Sequence, residues 1–275
     1  GCPGPFQSYG ATLMAIFPKR RRIAVVEIFG TIGGRVKSPA FERVFNEVRR
    51  SESVKAVVLD IDSPGGAVPA SDYLYRSVER LAREKPVVAS IRGTGASGAY
   101  LICCAAQKIV ATPGSIVGSI GVISIRPVLQ TLLQRLGVSV DVSKSGAYKD
   151  MGAFWREATS EEERKMQLLI DDFYGVFVSI VAGARGIDED RVREIATGEV
   201  FWAPKAKELG LVDELGDLDR AIDLAAELSG SPRRPVFMRP RRGMRERIFG
   251  NVAESLVESV AAEVESRLWL ESLRS

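Results

Sequence analysis

Through the first half of the chain, short apolar runs rich in β-branched residues alternate with stretches whose apolar residues recur at helical spacing. The runs predict strands over 23–29, 56–61, 86–91 and 109–111, with a glycine-punctuated strand at 117–125 and a further strand at 138–142. The intervening stretches predict helices over 39–50, 70–83, 97–106 and 128–136; in the second of these Leu74, Val78, Leu81 and Ala82 share one side. Near-continuous apolar strands separated by amphipathic helices are the pattern of βαβ units, whose parallel sheet is buried on both faces. The expected fold class is therefore α/β with a largely parallel sheet.

Further on, Ser160 followed three residues later by Glu163 predicts a capping box opening a long amphipathic helix that runs to about Ala184. Shorter helices are predicted at 188–196 and 217–229. From Ser231 to Gly243 proline and arginine dominate, which reads as a linker leaving the globular domain. Beyond it Ile248, Val252, Leu256, Val260 and Val264 recur every four residues, an apolar stripe that needs another subunit or the domain body to cover it. Its glutamates weaken a membrane-surface reading. The expected organisation is a tail or anchor stub at 1–21, a catalytic-size domain at 22–229, a linker at 230–245 and a C-terminal helical extension at 246–275.

Composition changes this picture at one point. The 275 residues include no histidine, which removes Ser/His/Asp and Cys/His machinery, His-ligated zinc and imidazole proton shuttles. A hydrolase built on this chain needs another base. The formal net charge of +3, from 38 basic and 35 acidic residues, gives no basic footprint for nucleic acid. Three cysteines, two of them adjacent in an apolar run, form neither a disulfide framework nor a metal-ligand spacing, and no cofactor is expected. The apolar run Ala11–Phe17, followed by Pro18 and a basic cluster, is too short for a membrane span.

Ser97 lies between Gly95 and Gly98 where a buried strand gives way to an Ala-rich helix, so it is presented at the carboxyl edge of the sheet. It reads either as a nucleophile beside oxyanion-stabilising amides or as an ordinary helix N-cap. Asp62-Ser63-Pro64-Gly65-Gly66 ends the preceding strand at the same edge, where Gly65 or Gly66 could offer a second amide. Lysine is the remaining base for a serine. Its ordinary pKa of about 10.4 must fall, which desolvation among small apolar residues achieves. Lys144 and Lys149, within Ser143–Gly152, both suit that setting, and composition does not separate them.

Four motifs occur in order: Asp62-Ser63-Pro64-Gly65-Gly66, Gly95-Ala96-Ser97-Gly98-Ala99-Tyr100, Gly118-Ser119-Ile120-Gly121-Val122 and Ser145-Gly146-Ala147-Tyr148-Lys149-Asp150. Together they closely resemble the signal peptide peptidase A family of Ser/Lys proteases, related in fold to the Clp proteases and crotonases. The resemblance spans roughly 22–229 and includes Gly198-Glu199-Val200 and the stretch from Ala206 to Asp213. It implies a Clp/crotonase-like fold of repeated β-β-α and βαβ units. Ser97 is implied as the acylated nucleophile, Lys149 as general base and acid, and Ser119 as the hydroxyl that orients the lysine amine. Gly65 with the Gly98 amide is implied as the oxyanion hole, or Gly66 if the turn is shifted by one. The implied substrates are remnant signal peptides and other hydrophobic or unfolded segments. Homo-oligomers with active sites near subunit contacts and membrane association are also implied, although a soluble cytoplasmic form is compatible with the chain as given. The rival readings are a crotonase-type acyl-CoA enzyme, which would not need Ser97, and a non-catalytic oligomeric scaffold.

Overall fold

The computed structural model describes residues 21–240. The tail at 1–20 and the predicted C-terminal helix lie outside the described residues. The elements follow in the order β1 (Arg22–Phe29), α1 (Ser38–Arg50), β2 (Val54–Ser63), α2 (Val68–Ala82), β3 (Val87–Ala96), α3 (Gly98–Cys103), β4 (Lys108–Ala111) and β5 (Ile116–Gly118). After α4 (Gln130–Arg135) and the long α5 (Ser160–Arg185) come α6 (Glu189–Ile195), β6 (Val200–Trp202), α7 (Ala203–Glu208), β7 (Glu214–Leu215), α8 (Leu218–Ser229) and β8 (Pro235–Met238). The eight strands form one sheet in the order β6-β5-β3-β2-β1-β8, with β4 beside β3 and β7 beside β4. Every pairing is parallel except β5 with β6, so the expected mixed α/β fold with a mostly parallel sheet is what the chain adopts.

The strands read as continuous apolar runs because helices cover both faces. On one face Ala24, Val26, Ile28, Val57, Leu59, Ile61, Ala89 and Ile91 join a core that includes Phe41, Val44 and Val48 of α1, Leu74 and Val78 of α2, Tyr100 and Ile102 of α3, and Phe177, Val178 and Val181 of α5. On the other, Ile23, Val25, Ala56, Val58, Val88 and Val110 pack under Ala221, Ile222, Leu224 and Ala225 of α8. Complete burial of each Leu, Ile or Val is worth about 1.5–3 kcal/mol, so the central strands form the least deformable part of the molecule.

Several expectations are corrected. The predicted 117–125 strand stops at Gly118, and 138–142 forms no strand. Ile123, Ile125, Val138, Val140 and Val142 are instead exposed, so their apolar character is not spent on this chain's own core. The capping box is shifted by one residue: Thr159 accepts from Glu162 N while the Glu162 carboxylate accepts from Thr159 N. The expected linker contains β8, which pairs with β1 because Val236 and Phe237 extend the alternation of the sheet beside Ala24 and Val25. The globular unit therefore runs past 229 to Met238.

Candidate active site

β3 delivers Ser97 to the carboxyl edge of the sheet, and α3 begins at the next residue. Ser97 is half-buried, with φ 50° and ψ −125°. This is a conformation that a residue with a side chain holds only at a cost of roughly 1–3 kcal/mol and that is over-represented at functional sites. Its side chain makes no cap hydrogen bond to α3, so the ordinary N-cap reading does not describe it. The backbone is fixed on both sides: Ser97 N donates to Gly118 O at 2.8 Å, and Ser97 O accepts from Leu101 N at 3.0 Å.

The approach to this turn is prepared by a register change. Ile61 of β2 pairs with Ile91 of β3, but Ser63 pairs with Gly95, so β3 carries two extra residues between these points. Asp62 supports that bulge, its Oδ1 accepting from Thr94 N at 2.9 Å. A methyl group on Gly93 would lie 2.8 Å from the same oxygen, so a larger residue there would push the carboxylate aside. Bulges beside active sites re-aim the following side chain, and this one precedes Ser97 by three residues.

The Ser63–Gly66 turn then folds against Ser97. A Cβ built on Gly65 (φ 93°) would meet Gly98 N at 2.7 Å, Ala96 O at 2.8 Å and Ser97 Cβ at 2.8 Å. A Cβ on Gly66 would meet Ile32 O at 2.1 Å. A Cβ on Gly98 would collide with Ser71 Oγ at 2.1 Å and stand 3.7 Å from Gly66 N. Close backbone approach thus requires glycine at 65 and 66, the Ser71 side chain crowds position 98, and Gly65, Gly66, Gly98 and Ser97 form one cluster. Gly65 N donates to Ser63 Oγ at 3.1 Å and Gly65 O accepts from Ile32 N at 2.8 Å.

Ser119 follows the carbonyl that fixes Ser97 by one residue. Among the described residues it is the second non-glycine residue with positive φ, again 50°, and its N–H donates to Glu199 O at 2.7 Å. Among the described residues no hydrogen bond joins Lys149 to this cluster. It is exposed, in a turn where its N–H donates to Gly146 O at 3.2 Å, and among the described residues no hydrogen bond or ion pair engages its Nζ. Lys144 differs: its Nζ donates to Asp150 Oδ1 at 2.6 Å and to Ala147 O at 3.0 Å. The Lys144 amine is thus already engaged by a carboxylate and a carbonyl. Cys103 and Cys104 are buried and free; burial pushes the Cys104 thiol up to about 12, which leaves it inert. No group of metal-binding side chains occurs among the described residues.

A strained serine at a sheet edge, faced by glycine backbones, is an arrangement suited to nucleophilic acyl transfer. The chain belongs to peptidase family S49, whose model matches residues 79–231, and it is a serine peptidase. It is 40% identical over 211 residues to the putative protease slr0021 of Synechocystis sp., covering 77% of this chain and 76% of that protein. It is 31% identical over 214 residues to the putative signal peptide peptidase SppA of Enterococcus faecium, covering 74% of this chain and 62% of that one. Protease 4 of Salmonella typhi is 35% identical over 221 residues, where the match covers 80% of this chain but 35% of the longer relative. Among solved structures, a ClpP1 mutant from Listeria monocytogenes superposes with a TM-score of 0.48 at 16% identity, covering 72% of this chain and 93% of that one. Membership of a peptidase family sets aside the acyl-CoA and scaffold readings.

Sequence reading alone did not single out Asp62 as the support of the β3 bulge, Ser71 against Gly98, or Arg156 and Glu162 beside the lysine turn. For the last pair the signal was present, since both follow Lys149 in the run that opens α5.

Proposed function

We propose that the chain is a Ser/Lys endopeptidase in which Ser97 attacks the peptide carbonyl and Lys149 takes and returns the proton, with Ser119 orienting the amine. The observation that carries this reading is the backbone of Ser97, held at φ 50° with its side chain unused by the helix it precedes. Neutral lysine removes the Ser97 proton as Oγ bonds to the carbonyl carbon. The proton passes to the leaving amine as the C–N bond breaks, and water then hydrolyses the ester. Gly98 N and Gly66 N are the oxyanion donors in this reading. Gly66 is preferred to Gly65 because the Gly65 N–H is already engaged by Ser63 Oγ.

Lys149 reaches a Ser97 through assembly. From Gly121 to Thr159 the chain is an arm with few buried residues, and Ile123 and Ile125 are 79% and 84% exposed. On α5, Leu168, Leu169, Phe173 and Val176 are exposed as well. Such apolar surface marks an interaction site, here a second copy of the chain, whose arrival would remove water from the lysine amine. By length and composition α5 is also apolar enough to cross a bilayer. However, Phe177, Val178 and Val181 bury one side of it in the core, which favours a subunit contact. The substrates are extended, hydrophobic peptide segments, signal-peptide remnants among them, met at a membrane surface. A fluorophosphonate probe should label Ser97, and both Ser97→Ala and Lys149→Ala should lose cleavage of an apolar peptide while keeping the oligomer size. Cleavage retained by either variant would overturn the dyad.

A further inference from the structure

We infer that Arg156 is a positioning residue for Lys149, acting through Asp150; the inference rests on Lys149 being the base. The turn that carries Lys149 belongs to an arm with little core of its own, yet both chain neighbours of the lysine are fastened to the start of α5. Arg156 Nε donates to Asp150 Oδ2 at 2.9 Å and Nη2 to Asp150 O at 3.3 Å. The other side of the same guanidinium grips Glu162, Nη1 to Oε2 at 2.8 Å and Nη2 to Oε1 at 2.5 Å. Glu162 is in turn the capping residue of α5, its Oε2 also accepting from Thr159 N at 2.9 Å. On the other flank Tyr148 bonds Glu161, and Lys165 Nζ lies 4.5 Å from the Tyr148 ring centroid.

The side chains of Asp150 and Glu162 are 9% and 4% exposed, so this is a largely enclosed junction and not a pair of solvated charges. At its far end α5 is fixed to the body by Arg185, whose Nε donates to Gly210 O at 2.8 Å and whose Nη1 donates to Asp213 Oδ2 at 2.9 Å. One helix therefore connects the core to the lysine turn, and Arg156 is the joint. Only a planar guanidinium spans two carboxylates in this way. The fork has a second consequence. With Lys144 and Arg156 on Asp150, the carboxylate beside Lys149 has its charge met by other groups and does not claim the Lys149 ammonium.

The test is the rate at which a fluorophosphonate probe acylates Ser97 in the assembled full chain. Arg156→Met and Arg156→Lys should both slow labelling by roughly 10- to 100-fold, the size of effect expected from misplacing a catalytic group by about 1 Å. In a Lys149→Ala background, where only slow residual labelling remains, adding Arg156→Met should cost less than about threefold more, because its effect passes through the missing amine. Amide exchange should speed up over 144–163 and stay unchanged in β1, β2 and β3. Wild-type labelling by Arg156→Met, an undiminished further loss in the Lys149→Ala background, or dissociation of the oligomer would each overturn the inference. Should Arg156→Met fail to fold, Arg156→Lys carries the same comparison. Wild-type labelling by Lys149→Ala would instead bring down the Ser/Lys reading itself, which keeps the two failures apart.

Discussion

At Ser97 the backbone, not the side chain, bears the strain, and that separates two variants lacking the hydroxyl. Ser97→Ala keeps a Cβ at φ 50°, whereas Ser97→Gly occupies that region freely. After the entropy that glycine adds to the unfolded chain, Ser97→Gly should be the more stable of the two by roughly 1 kcal/mol. Thermal or denaturant unfolding of the pair checks this, and a less stable glycine variant would show that the turn is unstrained. A second residue-scale prediction concerns the contact between Gly98 and Ser71, which leaves 2.1 Å where a Cβ would need ordinary contact distance. Gly98→Ala should lower Ser97 acylation at least tenfold. Adding Ser71→Gly, which removes both the Oγ and the Cβ in the way, should restore most of it. Absence of rescue would mean that the Ser71 contact is not what makes glycine necessary at position 98.

At the scale of elements, the junction between the lysine turn and α5 is sensitive to acid. Arg156 and the Thr159 amide hold the Glu162 carboxyl down to about 2, and Arg156 and Lys144 hold Asp150 well below the usual carboxylate range. Folded-state values below the unfolded ones of about 4 mean that these groups favour the docked turn fully above about pH 4.5. That contribution fades as the pH falls towards 2. Trp155, adjacent to Arg156, should report the change in fluorescence before the β-sheet melts. A single transition shared with the far-UV signal of the sheet would show that turn and body unfold together. The elements also show where sequence pattern gives out. The strands β1, β2 and β3 were legible because each is buried on both faces and rich in β-branched residues. The 138–142 run is likewise rich in β-branched residues, but the strand it predicts needs a neighbouring strand, and none pairs with it among the described residues. β6, β7 and β8 were missed because two to four residues carry too little periodicity, and they exist only because a partner strand is already in place.

For the whole molecule, the exposed arm and the outward side of α5 predict an obligate assembly. Replacing Ile123 and Ile125 together by glutamate should dissociate it in sedimentation and abolish Ser97 labelling, while the isolated body keeps its unfolding transition. An oligomer of unchanged size would assign the arm another role. Mixing Ser97→Ala with Lys149→Ala subunits under exchanging conditions should restore cleavage if the amine of one chain serves the serine of its neighbour. Mixtures that stay inactive would place the pair within one chain.

The sequence by itself determined the α/β class, the order of the central βαβ units, the sheet edge on which Ser97 and the Ser63–Gly66 turn meet, and, through the absence of histidine, the demand for another base. These follow from local properties: periodicity, β-branching, glycine where the chain must turn, and the chemistry a residue inventory permits. The tertiary structure decided what depends on contacts between distant residues. It set Ser97 at a positive φ and turned the Gly65 amide towards Ser63. It also engaged Lys144 with Asp150 while leaving Lys149 open, and it added β8 to the sheet from a stretch that reads as a linker. Composition places two lysines five residues apart in equivalent surroundings. Only the fold shows which of them a carboxylate has already taken.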